Sequence, residues 1–147
     1  MQIFLSTSFS SQVDPASGAV LPEYRTFVTN VLEGLRREEG EVYCAIEIEG
    51  WKVSDQPPEV SIKSDLEHID VSDVLIALIH DRPSAGVQFE LGYAVAKAKR
   101  VIIARSSNDG LSYFNQGIVG AGLVTHLSYD NAATLLSQLA VALHAPS

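Results

Sequence analysis

The sequence is poor in the residues that disulfides and membrane spans require. Cys44 is the only cysteine in 147 residues, so no internal disulfide can form and no Cys-x-x-Cys or Cys/His spacing indicates zinc. It lies in the apolar run of residues 42–46, which favours a buried small hydrophobe. No segment approaches the ~20 apolar residues of a membrane span, and the N-terminus lacks the basic and apolar regions of a signal peptide. We therefore expect a soluble, cytoplasmic protein without disulfides.

Several motifs of cofactor and catalytic sites are also missing. The four histidines have no i,i+4 pairing and no nearby cysteine, which argues against a metal site. The chain has neither the glycines and lysine of a P-loop nor a G-x-G-x-x-G fingerprint. No G-x-S-x-G elbow supports a Ser-His-Asp order. We expect no metal and no cofactor.

Basic residues are few and scattered. Lys and Arg number 10 against 18 Asp and Glu, giving a net charge of −8, and the only adjacent pairs are residues 36–37 and 99–100. Proteins that bind DNA or RNA concentrate positive charge on one face, so a nucleic-acid polymer is not an expected partner. With 46% hydrophobic and 19% charged residues, the chain is too apolar to be disordered. Its length fits one domain with a core of its own.

Short apolar runs of β type alternate with helical patterns along the chain. The predicted strands are residues 2–6, 42–48, 73–79, 101–104 and 123–127. The predicted helices are residues 22–39, 59–71, about 87–98, 131–144 and, as a short turn or helix, 111–119. The run at residues 73–79 has no polar alternation, which is typical of a central parallel strand covered on both faces. The order predicts a single α/β domain over residues 1–147, with a doubly wound, open parallel sheet of about five strands, flavodoxin- or Rossmann-like, and helices on both faces.

In such sheets ligands bind beyond the carboxyl ends of the strands, near the switch in strand order. The loops concerned are residues 6–11, 47–51, 80–86 and 105–112. Residues 6–11 are rich in hydroxyls, which could bind a phosphate or sugar or could simply form a turn. Ser84 can cap the next helix, and the amino end of a helix also attracts anions. Trp51 could stack on a flat ring or cover the sheet edge.

Three carboxylates are candidates for chemistry. Glu90 lies early in a helix, where it could complement the helix dipole or project into a cleft between Gly86 and Gly92. By pattern alone, Asp65 belongs to a helix surface and Asp73 to the solvated start of a strand. Acid–base or nucleophilic chemistry at a sugar carbon needs two carboxylates, one activated by burial and one that orients.

Three blocks of sequence carry a resemblance to a known family. They are residues 3–9 (Ile-Phe-Leu-Ser-Thr-Ser-Phe), residues 65–74 (Asp-Leu-Glu through Ser-Asp-Val) and residues 84–94 (Ser-Ala-Gly through Glu-Leu-Gly-Tyr-Ala). Together they resemble the nucleoside 2-deoxyribosyltransferase-like superfamily, which includes 2′-deoxynucleoside 5′-phosphate N-hydrolases and CMP N-glycosidases. Residues 9–18 and 42–51 look most similar to the CMP N-glycosidase branch. The resemblance covers essentially the whole chain.

The resemblance implies roles for individual residues. Glu90 matches a nucleophilic glutamate that attacks the anomeric carbon, expels the base and forms a glycosyl ester, which water or a second base then releases. Asp65 matches an aspartate that positions the sugar and assists proton transfer. Ser84 stands where transferases use an acidic residue and nucleotide hydrolases a phosphate-binding serine. Ser8 and Ser112 match phosphate-side serines, the latter supplied by a neighbouring subunit, which implies at least a dimer with a shared active site.

The sequence departs from the family pattern at two positions. Phe4 stands where many members have a tyrosine whose hydroxyl places the nucleophile, a task that a neighbouring hydroxyl could take over. Ser10 stands where the nucleotide hydrolases have a phosphate-binding arginine, and its loss weakens the case for a 5′-phosphate. Arg82 or Arg105, on adjacent loops, could compensate. The other predicted substrate-binding residues are Phe9, Trp51, Asp73 and Gly86, with Glu49 beside Trp51 on a wall that faces the base.

The sequence therefore predicts a cytoplasmic N-glycosidase with no cofactor. It hydrolyses a nucleoside or nucleoside 5′-monophosphate to free base and (deoxy)ribose or its 5-phosphate, through a covalent intermediate on Glu90. One alternative is a nucleoside 2-deoxyribosyltransferase that exchanges bases, and a second is a non-catalytic nucleotide-binding module. The expected partners are the small-molecule substrate and further copies of the chain, with neither nucleic-acid polymer nor membrane.

Overall fold

A computed structural model describes residues 1–82 and 84–146. Pro83, in the predicted ligand loop of residues 80–86, and Ser147 lie outside the described residues. The strands are β1 (Gln2–Thr7), β2 (Glu41–Tyr43), β3 (Val74–Ile79), β4 (Arg100–Ser106) and β5 (Thr125–Tyr129). The helices are α1 (Pro22–Glu38), α2 (Ala45–Ile48), α3 (Pro58–Val71), α4 (Ala85–Ala96), α5 (Tyr113–Gly120) and α6 (Ala132–His144). A short 3₁₀ turn, Ser10–Gln12, follows β1.

The strands form one parallel sheet in the order β2-β1-β3-β4-β5, which confirms the predicted doubly wound α/β fold. Every residue of β3 is buried, as expected for a central strand with helices on both faces. Residues of α1 and α6 pack in one core cluster, and residues of α3 and α4 pack in the cluster on the opposite face. The first helix after β1, α1, therefore covers one face of the sheet, whereas α3, which leads into β3, covers the opposite face.

Side chains of β1 alternate between the two faces of the sheet. Ile3 and Leu5 join the cluster of α1 and α6, whereas Phe4 joins the cluster of α3 and α4. Because side chains two residues apart share a face, Ser6 lies on the side of Phe4 and α4. A polar residue at this buried position needs a partner from that side.

Two predicted strands have different bounds in the structure. The prediction of one strand over residues 42–48 is wrong in its second half, because β2 ends at Tyr43 and α2 follows as a single helical turn that buries Ile46. The apolar run alone could not separate a buried strand from a buried turn of helix. The last strand starts at Thr125 and not at residue 123, because Leu123 lies in a turn after Gly122 and bonds back to Ile118.

The helix ends follow the signals in the sequence. Pro22 is the first residue of α1, and the side chain of Asn131 accepts a hydrogen bond from Thr134 N–H at 2.9 Å to cap α6. Gly40 ends α1 at φ 139°, and a Cβ there would lie 2.3 Å from the carbonyl oxygen of Met1, so no other residue fits without a backbone shift. None of the helices in the described part of the chain is long and apolar enough to cross a membrane.

Candidate active site

A cleft of about 520 Å³ opens at the carboxyl end of β1. Its walls come from β1, α2 with the loop that follows it, α3 and the first two turns of α4. The strand β1 leads to α1 on one face, while its neighbour β3 leads to α4 on the other. A crevice at this switch is where doubly wound sheets bind ligands, and its volume suits a small molecule.

Glu90 lies on α4 with its carboxylate in this cleft. The hydroxyl of Ser6 donates a hydrogen bond of 2.5 Å to its Oε2 atom. Burial raises the pKa of Glu90 to about 7; the Ser6 hydrogen bond acts in the opposite direction, and the charges of Asp65 and Glu49 raise the pKa further. Near neutral pH this carboxyl group therefore exists in both protonation states.

Asp65 faces the same cleft from α3 and is half-buried. The hydroxyl of Tyr43 donates a hydrogen bond of 3.3 Å to its Oδ1 atom, and the Tyr43 ring stacks on His68 at 3.7 Å between centroids. Burial raises the pKa of Asp65 to about 6, against the lowering effect of the Tyr43 hydrogen bond. The expectation of a surface position was wrong, because α3 turns this residue toward β1 and α4.

Glu49, in the loop after α2, is the third carboxylate of the cleft. Ser61 on α3 donates a hydrogen bond of 3.4 Å to it. Burial raises its pKa as well. The cleft thus gathers carboxyl groups from three separate segments, with elevated pKa values of the kind that mark functional sites.

The structure brings six of the predicted site residues together and leaves the others outside the cleft. The six that line it are Phe4, Phe9, Glu49, Asp65, Gly86 and Glu90. A Cβ atom at Gly86 would meet only the hydroxyl of Ser84, at 3.9 Å, so nothing within the chain itself requires glycine there.

The predicted phosphate-side serines make other contacts. The buried hydroxyl of Ser8 donates to the carbonyl of Arg82, and the hydroxyl of Ser84 accepts from Val87 N–H at 3.3 Å to cap α4. Ser10 is exposed at the start of the 3₁₀ turn. The hydroxyl of Ser112 accepts a hydrogen bond from the backbone N–H of Asn115 and caps α5. Their part in substrate binding stays a prediction.

Trp51 and Asp73 also lie away from the cleft lining. Trp51 packs against the core on the side of α1, with the Arg25 guanidinium 5.3 Å from its ring centre, which favours the covering role over stacking on a ligand. Asp73 accepts a hydrogen bond of 2.7 Å from Gln2 N–H at the amino ends of β1 and β3, the edge of the sheet where these strands begin. Its position matches the solvated strand start that the pattern indicated.

The residues that bond Glu90 and Asp65 were not among the predicted site residues. Ser6 contacts Glu90, and Tyr43 contacts Asp65. The period-two alternation of β1 could have found Ser6, since it shares the face of Phe4, where the resemblance implies a hydroxyl in many members of the family. No local signal pointed to Tyr43, because its contact to α3 spans 22 residues of sequence.

Replacement of Ser6 tests whether this hydroxyl sets the ionisation of Glu90. In Ser6→Ala the pKa of Glu90 should rise above about 7, since a hydrogen bond that favours the charged form is lost. We expect a rise of roughly one unit, the equivalent of one hydrogen bond to a charged group. NMR titration of ¹³C-carboxyl-labelled glutamate measures it, with Ser10→Ala as the control at an exposed serine. An unchanged titration in Ser6→Ala would contradict this role.

Among residues 1–82 and 84–146, no group of three or more His, Cys, Asp or Glu side chains is arranged to hold a metal ion. The polar groups that line the cleft include the carboxyl groups of Glu49, Asp65 and Glu90 and several hydroxyls. A parallel-sheet scaffold with carboxylates of raised pKa at its switch point is typical of α/β enzymes that use acid–base or nucleophilic chemistry.

Comparison with known families defines it further. The family described as nucleoside 2-deoxyribosyltransferase matches residues 18–137, and the chain belongs to this family. This match confirms the family that the sequence blocks predicted. No curated protein matches the chain by sequence.

Three solved structures have the same fold. The CMP N-glycosidase BcmB of Clostridium botulinum is 18% identical, with a TM-score of 0.71, over 96% of this chain and 99% of that one. BlsM is 21% identical, with a TM-score of 0.73, over 99% and 95% of the two chains. A 2-deoxyribosyltransferase of Bacillus psychrosaccharolyticus is 19% identical, with a TM-score of 0.66, over 92% and 90%. These likenesses extend over nearly the whole chain and concern the fold.

Proposed function

We propose that the protein is an N-glycosidase that hydrolyses the N-glycosidic bond of a nucleoside or nucleoside 5′-monophosphate. One observation carries the proposal: Glu90 lies in the cleft, held by Ser6 and flanked by further carboxyl groups. The resemblance of residues 84–94 to the family implies that this glutamate is the nucleophile. Free base and a pentose or pentose 5-phosphate are the products. The cytoplasmic location of the protein stays a prediction.

The proposed reaction has two displacements. The ionised carboxylate of Glu90 attacks the anomeric carbon, the bond from this carbon to the base nitrogen breaks, and the electron pair leaves with the base. Protonated Asp65, with its pKa raised to about 6, delivers a proton to the departing base. Water then attacks the anomeric carbon, the ester bond breaks, Glu90 regains its carboxylate, and Asp65 takes up the proton of the water.

Transfer to a second base is the alternative, since the family includes transferases and a base could replace water in the second displacement. The non-acidic Ser84, which caps α4, favours water, because the transferases have an acidic residue at this position. A non-catalytic nucleotide-binding module would keep the cleft but would not need a carboxylate that titrates near neutral pH.

The test is chromatography of free base after incubation of the protein with a panel of nucleosides and 5′-monophosphates, each with and without an added acceptor base. We expect base release in the absence of any acceptor. Release only with an acceptor, together with a new nucleoside, would establish the transferase in its place. No release from any substrate would contradict an enzymatic role.

We further propose that the active form is a homodimer or higher oligomer. The helices α4 and α5 are joined by reciprocal amide hydrogen bonds between Gln88 and Asn115, at 3.0 and 3.1 Å. Beside these amides stand exposed aromatic side chains: Phe89, which also lines the cleft, is 54% exposed and Phe114 is 74% exposed. Large exposed apolar side chains next to a ligand cleft are typical of a protein interface.

Phe114→Ser should therefore shift the protein toward monomer in sedimentation velocity, because it removes apolar contact area from the interface. Val141→Ser is the matched control, since Val141 is also 74% exposed but lies on α6, across the sheet. We expect at least a tenfold weaker association for Phe114→Ser alone. Wild-type protein that sediments as a monomer at all concentrations would contradict the proposed oligomer and an active site shared between its subunits.

A further inference from the structure

A second cavity, of about 250 Å³, opens beside the cleft. This side chamber lies between Tyr43 at the end of β2, the loop that follows α2, and Ser64 on α3. Nine of the ten described residues that line it carry a hydroxyl, carboxyl, amine or amide group, and the tenth is Ile48. The side chamber is therefore a polar space, large enough for several water molecules.

The side chamber and the cleft share one wall. Asp65, Glu49 and Ser61 are among the residues that line both cavities, whereas Tyr43 and Ser64 line the side chamber alone. The hydroxyl of Tyr43 donates its hydrogen bond to Oδ1 of Asp65 from the side of the chamber. The carboxyl group of Asp65 can thus be reached from two directions, by a substrate in the cleft and by a small molecule in the side chamber.

The polar groups of the shared wall are only loosely bonded to one another. The hydroxyl of Tyr43 lies 3.3 Å from Oδ1 of Asp65. The hydroxyl of Ser61 lies 3.4 Å from Oε1 of Glu49 and 3.5 Å from the hydroxyl of Ser54. Hydrogen bonds between oxygen atoms in proteins are typically about 2.7–2.8 Å long. Such long contacts leave these oxygen atoms able to bond water as well, which is the ligand that a small polar cavity holds best.

We propose that the side chamber supplies the water molecule of the second displacement to Asp65. The inference rests on the proposed function and assigns a separate route to one of its two reactants. The nucleoside enters through the cleft, whereas water reaches Asp65 without crossing the space that the nucleoside fills.

The direction of approach agrees with the chemistry of a double displacement. Because Glu90 forms its ester on one face of the sugar, water must attack the anomeric carbon from the other face, which the base has left. Asp65 protonates the departing base on that face, so a water molecule bonded to Asp65 starts on the correct side. A bond forms from the water oxygen to the anomeric carbon, the ester bond breaks with its electron pair passing to Glu90, and the proton passes to Asp65.

The walls of the side chamber belong to one protomer. They come from β2, the loop after α2 and α3, at the edge of the sheet that β2 forms. The proposed interface between subunits includes α5, which joins β4 to β5 at the other edge. We therefore expect the side chamber to stay open to solvent in the oligomer.

Filling the side chamber should slow the second displacement alone. A nucleoside analogue with fluorine at the 2′ position forms a long-lived glycosyl ester, and mass spectrometry of the intact protein follows both its formation and its hydrolysis. In Ser64→Leu we expect hydrolysis of the ester to be at least about 10-fold slower, because the larger side chain displaces water beside Asp65. Formation of the ester should change by less than about twofold.

Ser64→Ala is the matched control. It removes the same hydroxyl but leaves the side chamber open, so the ester should be hydrolysed within about threefold of the wild-type rate.

A second variant narrows the side chamber from the solvent side. Ile48 lies at the end of α2 and is 67% exposed, so a tryptophan there can be accommodated without disturbing the core. We expect Ile48→Trp to slow hydrolysis of the ester and to raise the ratio of base transfer to hydrolysis when an acceptor base is added, since the acceptor enters through the cleft. Val71→Trp is its control, because Val71 is 65% exposed on α3 but does not line the side chamber.

The outcomes separate this inference from the proposed function. Slower hydrolysis with unchanged formation of the ester, in either variant, supports the inference. An ester that both variants hydrolyse at the wild-type rate would overturn it and leave the proposed function in place. Equal slowing of formation and hydrolysis would also overturn it, because the substitutions would then act through the shape of the cleft. Wild-type protein that neither forms the ester nor releases base would refute the proposed function and the inference with it.

Discussion

Glu90→Gln should abolish base release, with kcat falling by at least about 10³-fold, because glutamine has the shape of glutamate but cannot attack the anomeric carbon. The hydroxyl of Ser6 can still donate to the side-chain oxygen of the amide, so the cleft should keep its geometry. Chromatographic assay of free base measures the loss. Glu67→Gln is the matched control, since it makes the same chemical change at an exposed position of α3 and should retain full activity.

The same residue should set the pH dependence of the wild-type enzyme. The nucleophile must be ionised and Asp65 must be protonated, so kcat/KM should follow a bell-shaped pH profile, with its maximum between the pKa values of about 6 and about 7 to which burial raises Asp65 and Glu90. A slow nucleoside analogue with fluorine at the 2′ position should leave a glycosyl ester on the peptide that contains Glu90, detectable by mass spectrometry. Full activity in Glu90→Gln, or an ester on another residue, would refute the assignment of the nucleophile.

Glu90→Gln should also stabilise the protein at alkaline pH. The folded-state pKa of about 7 lies above the ordinary value of 4.5, because burial disfavours the charged carboxylate. Between these two values the folded state holds a proton that the unfolded state has released, so the wild-type free energy of unfolding falls as pH rises through this window. The full cost of about 3 kcal/mol is reached above pH 7, and the glutamine variant does not incur it.

Urea denaturation of both proteins at pH 4 and pH 8.5 measures this effect. At pH 8.5 the variant should gain up to about 3 kcal/mol, or roughly 6–12 °C in Tm, and at pH 4 the two should agree within about 0.5 kcal/mol. Glu67→Gln should follow the wild-type protein at both pH values. A stability difference that is independent of pH would mean that Glu90 ionises in the folded protein as it does in the unfolded chain. Loss of activity together with a gain in stability is the expected mark of a functional carboxylate held in an unfavourable setting.

Much of the architecture could be predicted from sequence because its signals are local. The unbroken apolar run of β3 indicated a central parallel strand, and Pro22 marked the first turn of α1. Local signals were insufficient for residues 42–48, where a strand and a helical turn share one apolar run, and for residues 123–127, where a turn after Gly122 delays the strand. In both cases the boundary is set by how the segment packs against others.

The candidate site could be predicted only in part, for the same reason. The block around Glu90 identified the carboxylate from sequence, since its neighbours on α4 carry the resemblance. The helical pattern around Asp65 gave no sign that this residue is buried. The groups that cover Asp65 come from distant segments, and so does Tyr43, whose hydroxyl donates a hydrogen bond to it. The serines that the resemblance assigned to a phosphate also bond the backbone, and a sequence pattern gives no sign of where a hydroxyl finds its partner within the chain.

By itself, the sequence determined the alternation of strands and helices and the absence of a disulfide, because both depend on residue type and local periodicity. The family and the role predicted for Glu90 came from the resemblance of three sequence blocks to known proteins. Only the tertiary structure decided that Ser6 and Tyr43 hold the two carboxyl groups, that their pKa values rise, and that no cation of the described chain faces the cleft. Burial and electrostatic potential are sums over side chains from segments far apart in sequence, so the fold has to bring those segments together before either quantity exists.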